Sequence, residues 1–240
     1  MAATKPVEPK YYTYEVKSKI DHPTERYTQG LLFADGALWE GTGLNGASAL
    51  YRTDLATGKT RCMAELPRSE FGEGIALLDG KIYQLTWTSN TAHVYDAATG
   101  KKLRDFRYAG EGWGLTSDGK RLYMSDGSAR IFRIDPETFR REGSITVTLR
   151  GEAVEFINEL EWIDGKIWAN VYTTESILII NPESGVVEGV IDLSGIFPQR
   201  ERTEATDVMN GIAYDAATGR VFVTGKLWRY IYQIEIIEEQ

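Results

Sequence analysis

The sequence predicts an all-β fold, a five-bladed β-propeller in which the N-terminal strand completes the last blade. Three observations carry that prediction. Runs of four strands recur with a period of about 40–45 residues, the spacing of propeller blades. Each run opens on a hairpin with a glycine in its turn. The fifth run stops one strand short, and a lone alternating strand at residues 11–20 supplies the missing member. Such closure removes the two free sheet edges that a linear array would expose.

The hairpin from Phe71 to Trp87 is the template, two arms of alternating β-branched and aromatic residues joined by Asp79-Gly80. The lone strand Tyr11–Ile20 ends at a turn, His22-Pro23. The first set then opens at Gln29, turns at Asp35-Gly36, and continues through Ala49–Asp54 to a turn at Thr57-Gly58. The second opens at Glu73, with further turns at Asp79-Gly80 and Thr99-Gly100. The third opens at Trp113, turns at Asp118-Gly119 and runs on through Ala129–Asp135. The fourth opens at Asn158, with turns at Asp164-Gly165 and Ser184-Gly185, and the fifth at Asn210, with a turn at Thr218-Gly219. Leu31, Ile75, Leu115, Leu160 and Ile212 repeat as apolar body positions. The insert from Leu193 to Met209 reads as a surface loop, and Trp39, Trp162 and Trp168 read as core.

Residues 1–10 lack the apolar centre of a signal peptide and read as a disordered lead-in, leaving residues 11–240 as one propeller domain. A net charge of −8 without a run of Lys or Arg argues against nucleic acid and anionic membrane as partners. It suits a cationic small molecule or a peptide amine, and equally plain solubility. The one cysteine, Cys62, forbids an intrachain disulfide and reads as a small packing residue. With only His22 and His93 beside it, neither a catalytic thiol nor a tetrahedral zinc site is expected. No apolar run reaches the length of a membrane span.

Where the repeats diverge, function is expected. The residue opening each inner strand gives Gln29, Glu73, Trp113, Asn158 and Asn210, all able to hydrogen bond. The end of each second strand gives Gly43, Trp87, Gly127, Tyr172 and Lys226, and both series fall at one rim. A carboxylate, a lysine, amides and aromatic walls without a metal cluster suit proton transfer in a dry pocket. Glu73 stands between two glycines, which are expected to leave its side chain accessible. No Ser/His/Asp set is available, because neither histidine falls in the two series.

The strings Tyr27-Thr-Gln-Gly-Leu31, Phe71-Gly-Glu-Gly-Ile75, Leu85-Thr-Trp87 and Glu111-Gly-Trp-Gly-Leu-Thr116 occur in that order. Ile157-Asn-Glu-Leu-Glu161, Trp168-Ala-Asn170, Asn210-Gly-Ile-Ala-Tyr214 and Val223-Thr-Gly-Lys226 follow them. Together they resemble the plant- and bacterial-type glutaminyl cyclases, or glutamine cyclotransferases, over nearly the whole chain. The resemblance implies a five-bladed propeller that converts the N-terminal glutamine of a peptide or protein to pyroglutamate with release of ammonia. It implies no cofactor and no metal. By position, Glu73 matches the family's catalytic glutamate, and Gln29, Trp113, Asn158 and Lys226 match residues that bind the substrate amide or oxyanion. Tyr27, Phe71 and Trp87 match pocket walls, while Tyr172 stands where the plant enzymes carry tryptophan. Asn210 joins the substrate-binding set from its place in the inner series. On this reading Glu73 takes the ammonium proton and hands it to the departing nitrogen, while Lys226 and the Trp113 N–H steady the oxyanion.

The expected partner is a peptide or protein N-terminus, met by a monomer in the periplasm or outside the cell, with the cytoplasm as the alternative. Two rival readings compete. One is a calcium-dependent lactonase-type propeller using Glu73, Asn158, Asn210 and Asp126 as oxygen ligands. The other is a propeller that binds peptide or sugar on its rim without catalysis.

Overall fold

The computed structural model describes residues 7–239, and its fold is all-β. β1 (Lys10–Asp21) precedes β2 (Thr28–Ala34), β3 (Ala37–Thr42), β4 (Ala49–Asp54) and β5 (Thr60–Glu65), the last four forming one antiparallel sheet in chain order. β6 (Gly72–Leu78), β7 (Lys81–Thr86), β8 (Thr91–Asp96) and β9 (Lys102–Arg107) form the next sheet. β10 (Leu115–Ser117), β11 (Leu122–Ser125), β12 (Arg130–Ile134) and β13 (Arg141–Thr146) form a third. A two-residue ladder, β14 (Thr148–Leu149) with β15 (Glu152–Ala153), leads into β16 (Ile157–Ile163), β17 (Lys166–Val171), β18 (Ser176–Ile180) and β19 (Val187–Asp192). β20 (Met209–Asp215), β21 (Arg220–Gly225) and β22 (Tyr230–Glu238) end the chain.

β1 pairs antiparallel with β22 from Tyr12↔Glu238 to Asp21↔Tyr230, adding a fourth strand beside β20–β22. Its first residues go further than expected. Lys10, Tyr11 and Tyr12 pair in parallel with Gly189, Val190 and Ile191 of β19, so β16–β19 and β20–β22 merge into one eight-stranded sheet. Lys10, assigned to the lead-in, is therefore strand, and residues 1–6 of that lead-in lie outside the described residues. No described helix is long and apolar enough to cross a membrane.

The hairpin turns follow from residue type. Asp35-Gly36, Asp79-Gly80 and Asp164-Gly165 all take positive φ at both positions, the requirement of a two-residue turn matched to strand twist. At the longer turns only the glycine is left-handed, Gly119 at φ 85° and Gly219 at φ 73°. The outer turns share another device: Asp54, Asp96 and Asp135 each accept the backbone N–H and the hydroxyl of a threonine three residues on, at 2.6–2.9 Å.

The inner strands touch in a closed cycle, β2 with β6, β6 with β10, β10 with β16, β16 with β20, and β20 with β2. Leu31, Ile75, Leu115, Leu160 and Ile212 are all buried in it, as the repeat predicts. Glu159 ties three members together: its Oε1 accepts from the Leu31 amide at 3.1 Å and its Oε2 from the Ile212 amide at 2.9 Å. Glu161 accepts from the Tyr214 amide at 3.0 Å. Where β1 ends, His22 lies 2.6 Å from the Trp228 carbonyl and 2.9 Å from Glu40, whose other oxygen accepts from Arg26.

Three expectations change. The Leu193–Met209 insert is not only surface: Leu193, Ile196 and Phe197 are buried, and Phe197 stacks on Trp228 at 4.7 Å. Its apolar residues cap a core that the strands alone leave open. Cys62 does not pack inside, because β5 is an outer strand and the thiol side is exposed. Trp162 is half-buried and stacks on Tyr123 at 5.3 Å, whereas Trp39 and Trp168 are core.

Candidate active site

The hairpin geometry places the start of an inner strand and the end of its partner at one rim, and the pocket forms there. Glu73 on β6 and Gln29 on β2 stand beside Asn158 on β16. Trp87, Tyr172 and Lys226, each one residue past the second strand of its hairpin, complete the opposite series. Tyr27, Phe71 and Trp113, which lie just outside the strands, supply further wall. These nine side chains enclose about 290 Å³.

Glu73 is only 4% exposed, contrary to the expected accessibility. Its flanking glycines serve the packing: a Cβ on Gly74 would lie 2.6 Å from the Trp113 carbonyl, so the next sheet can close in. Burial pushes the Glu73 carboxyl well above the usual range, with Lys226 opposing and the nearby Glu111 charge adding to the rise. Burial likewise holds the Lys226 ammonium below its usual value, opposed by Glu73 and Asp207. That ammonium sits between two ring faces, 4.8 Å from Tyr27 and 5.0 Å from Tyr172.

The Gln29 amide donates to Glu73 Oε1 at 3.1 Å. Asn210 does not line the pocket. It is buried behind Gln29 and donates to the Gln29 side-chain oxygen at 3.3 Å and to the Thr28 carbonyl at 3.1 Å. The substrate-binding expectation for Asn210 is corrected accordingly: it fixes which end of the Gln29 amide faces Glu73.

The aromatic walls meet edge to face, Tyr27 on Phe71 at 5.9 Å, Phe71 on Trp87 at 5.8 Å and Trp113 on Tyr172 at 5.6 Å. Glycines Gly43 and Gly127 at the second-strand ends explain themselves here, since a side chain on either would enter the Phe71 or the Trp113 ring. The Trp113 N–H is not free for an oxyanion. It donates to Glu111 Oε2 at 2.9 Å, and the Trp87 N–H donates to the same oxygen at 2.7 Å.

Two further residues that no repeat position marks also hold the walls. Glu111 stands inside the quoted Glu111–Thr116 string, two residues before Trp113, but nothing in its spacing showed that it joins two indoles. Asp207 comes from the insert and accepts the Tyr27 hydroxyl at 2.7 Å; burial first, and this hydrogen bond next, raise that phenol. Of the four oxygen ligands in the calcium reading, Glu73 and Asn158 line the pocket. Asp126 instead binds the hydroxyl and amide of Ser128, and Asn210 lies behind Gln29. The two histidines belong to other networks, His22 with Glu40 and His93 between Glu70 and Asp105.

Comparison with known proteins points the same way. A curated glutaminyl-peptide cyclotransferase of Arabidopsis thaliana is 40% identical over 228 residues, covering 92% of this chain and 71% of that protein. The crystal structure of Myxococcus xanthus glutaminyl cyclase superimposes with a TM-score of 0.90 at 35% identity, over 97% of this chain and 100% of that one. The family model described as glutamine cyclotransferase matches residues 1–236, and the chain belongs to that family of enzymes.

Proposed function

We propose that this chain is a single-domain, five-bladed propeller that cyclises the N-terminal glutamine of peptides to pyroglutamate, without a metal, with Glu73 as the acid–base group. The blades are the four-stranded units around the inner cycle, with β1 completing the last. The observation that carries the reading is Glu73 itself, a nearly inaccessible carboxyl at the floor of an aromatic pocket that also holds a buried lysine.

The walls fold the glutamine side chain back so that the neutral α-amine faces its own amide carbon, which is catalysis by proximity. As the ring C–N bond forms, Glu73 accepts a proton from the attacking nitrogen. As the old C–N bond breaks, Glu73 returns that proton to the leaving nitrogen, and ammonia departs. A carboxyl that burial raises well above its ordinary range holds a transferred proton more readily than a solvated one would. The oxyanion falls to the Lys226 ammonium and the Asn158 amide, since Glu111 occupies the Trp113 N–H.

Mass spectrometry tests the activity. A peptide beginning with glutamine, incubated with excess EDTA, is expected to lose the mass of one ammonia, and a control beginning with alanine none. No loss with folded protein would favour the rim-binding reading. The rate should also climb with pH, because the reacting amine, with a pKa of about 7.7–8.0, and the raised Glu73 are both needed as bases. It should fall again when Lys226 loses its proton. A kcat/KM flat from about pH 6 to 9 would exclude an amine that must first deprotonate.

Glu111 works as a positioning residue for the two indoles. Glu111→Ala is expected to lower kcat/KM on the order of 10–10²-fold, through loosened walls. Glu111→Gln, whose amide oxygen can still accept, should recover much of it. A tryptophan emission spectrum unchanged in Glu111→Ala would remove the clamp.

A further inference from the structure

We infer that the mouth of the pocket is an apolar subsite for the residue after the glutamine, so that peptides with a large apolar second residue are preferred. This rests on the cyclase reading above. Seven large hydrophobic side chains are exposed among the described residues. Val7, Tyr11 and Ile237 lie near the chain ends, and Leu103 stands alone on the outer strand β9. The other three, Leu44 (37%), Trp87 (41%) and Phe156 (53%), come from three different sheet regions, and each takes part in or adjoins a backbone pairing at the pocket end.

Their placement follows from the repeat. The carbonyls of Tyr27 and Phe71 accept the amides of Gly43 and Trp87, at 2.8 and 2.9 Å. The Phe156 carbonyl accepts the Tyr172 amide at 2.9 Å in the same way. Phe156 is therefore the repeat partner of two pocket-wall aromatics. Its backbone, however, is left-handed at φ 64°, and its ring is turned out to solvent instead of lining the pocket. Leu44 follows Gly43, the residue that packs against the Phe71 ring. The aromatic lining thus continues past the mouth onto the rim.

The rim is also preorganised. The Trp87 indole is held by Glu111 at its N–H and by the Phe71 ring, while the side chain stays exposed. An apolar group can settle on such a ring at little cost in side-chain freedom. The carboxylate beside it, Glu111, has one oxygen shared by two indole N–H groups. With Glu73 at the pocket floor, the peptide must leave through the mouth. The second residue is the first group to reach Trp87, Phe156 and Leu44.

The test compares kcat/KM for amidated Gln-Phe-Ala, Gln-Gly-Ala and Gln-Glu-Ala. The phenylalanine peptide is expected to lead the glycine peptide roughly tenfold, carried by KM, as for binding felt equally in ground and transition states. Phe156→Ala should pull that ratio toward one, and Phe156→Leu should restore most of it. Leu44→Ser gives a second, independent reduction. Equal kcat/KM for the three peptides, or a ratio undiminished in both Phe156→Ala and Leu44→Ser, would overturn the subsite. Ammonia released from none of them would instead overturn the cyclase reading, and the subsite with it.

Discussion

Glu73→Gln is expected to lower kcat by 10²–10⁴-fold while leaving KM within a few-fold, the size of effect that one positioned acid–base group contributes. The replacement keeps shape and keeps an oxygen for the 3.1 Å hydrogen bond from Gln29, so the pocket walls are undisturbed. What it removes is the place where the proton rests between the two nitrogens. A second signature follows from the coupling to Lys226. Burial lowers that ammonium and Glu73 opposes the fall, so in Glu73→Gln the lysine should lose its proton at lower pH still. The alkaline limb of the residual activity should move down accordingly. Near-wild-type kcat in a folded Glu73→Gln protein would remove Glu73 from proton transfer. An unshifted alkaline limb would remove Lys226 from the oxyanion.

Sequence periodicity revealed much of this site because a hairpin repeat fixes which residues share a rim. Nine of the ten predicted site residues line the pocket, seven of them from the two repeat series and Tyr27 and Phe71 from the family resemblance. Asn210 occupies the same repeat position as Gln29 and Glu73, yet it turns behind Gln29. Repeat position gives the strand and the level, but not which neighbour a side chain bonds. Glu111 and Asp207 stayed hidden for a related reason, as they reach the walls from irregular segments whose course no periodicity describes. The accessibility expected of Glu73 failed because a glycine leaves space for whatever comes nearest. Here that is the backbone of the adjoining sheets. The extent of β1 was underestimated because alternation marks a strand but not the second partner its first residues find in β19.

The same inner cycle predicts a large stability effect away from the pocket. Glu159 is buried, and its two oxygens take the amides of Leu31 and Ile212, one on β2 and one on β20. Glu159→Ala leaves both amides without their acceptor, at about 1–3 kcal/mol each, so a loss of about 2–6 kcal/mol is expected in urea unfolding. Water entering the vacated space would bring the loss to the low end. The pH dependence distinguishes this residue from an ordinary surface carboxylate. Burial first, and Glu161 next, push the Glu159 carboxyl well above its usual range, against the two amides that favour its charge. Between the unfolded value of about 4.3 and the raised folded value, the folded chain binds more protons than the unfolded one. Its stability therefore declines as pH rises through that window, and the penalty is fully present only above the folded pKa. Glu159→Ala does not carry that penalty, and it also relieves Glu161 of a like charge. The measured loss should be greater near pH 5 than near pH 8. A loss that grows with pH would mean that Glu159 is held as a stabilised carboxylate, and that the amides outweigh burial. A loss below about 0.5 kcal/mol would mean that the carboxyl does not join the strands at all.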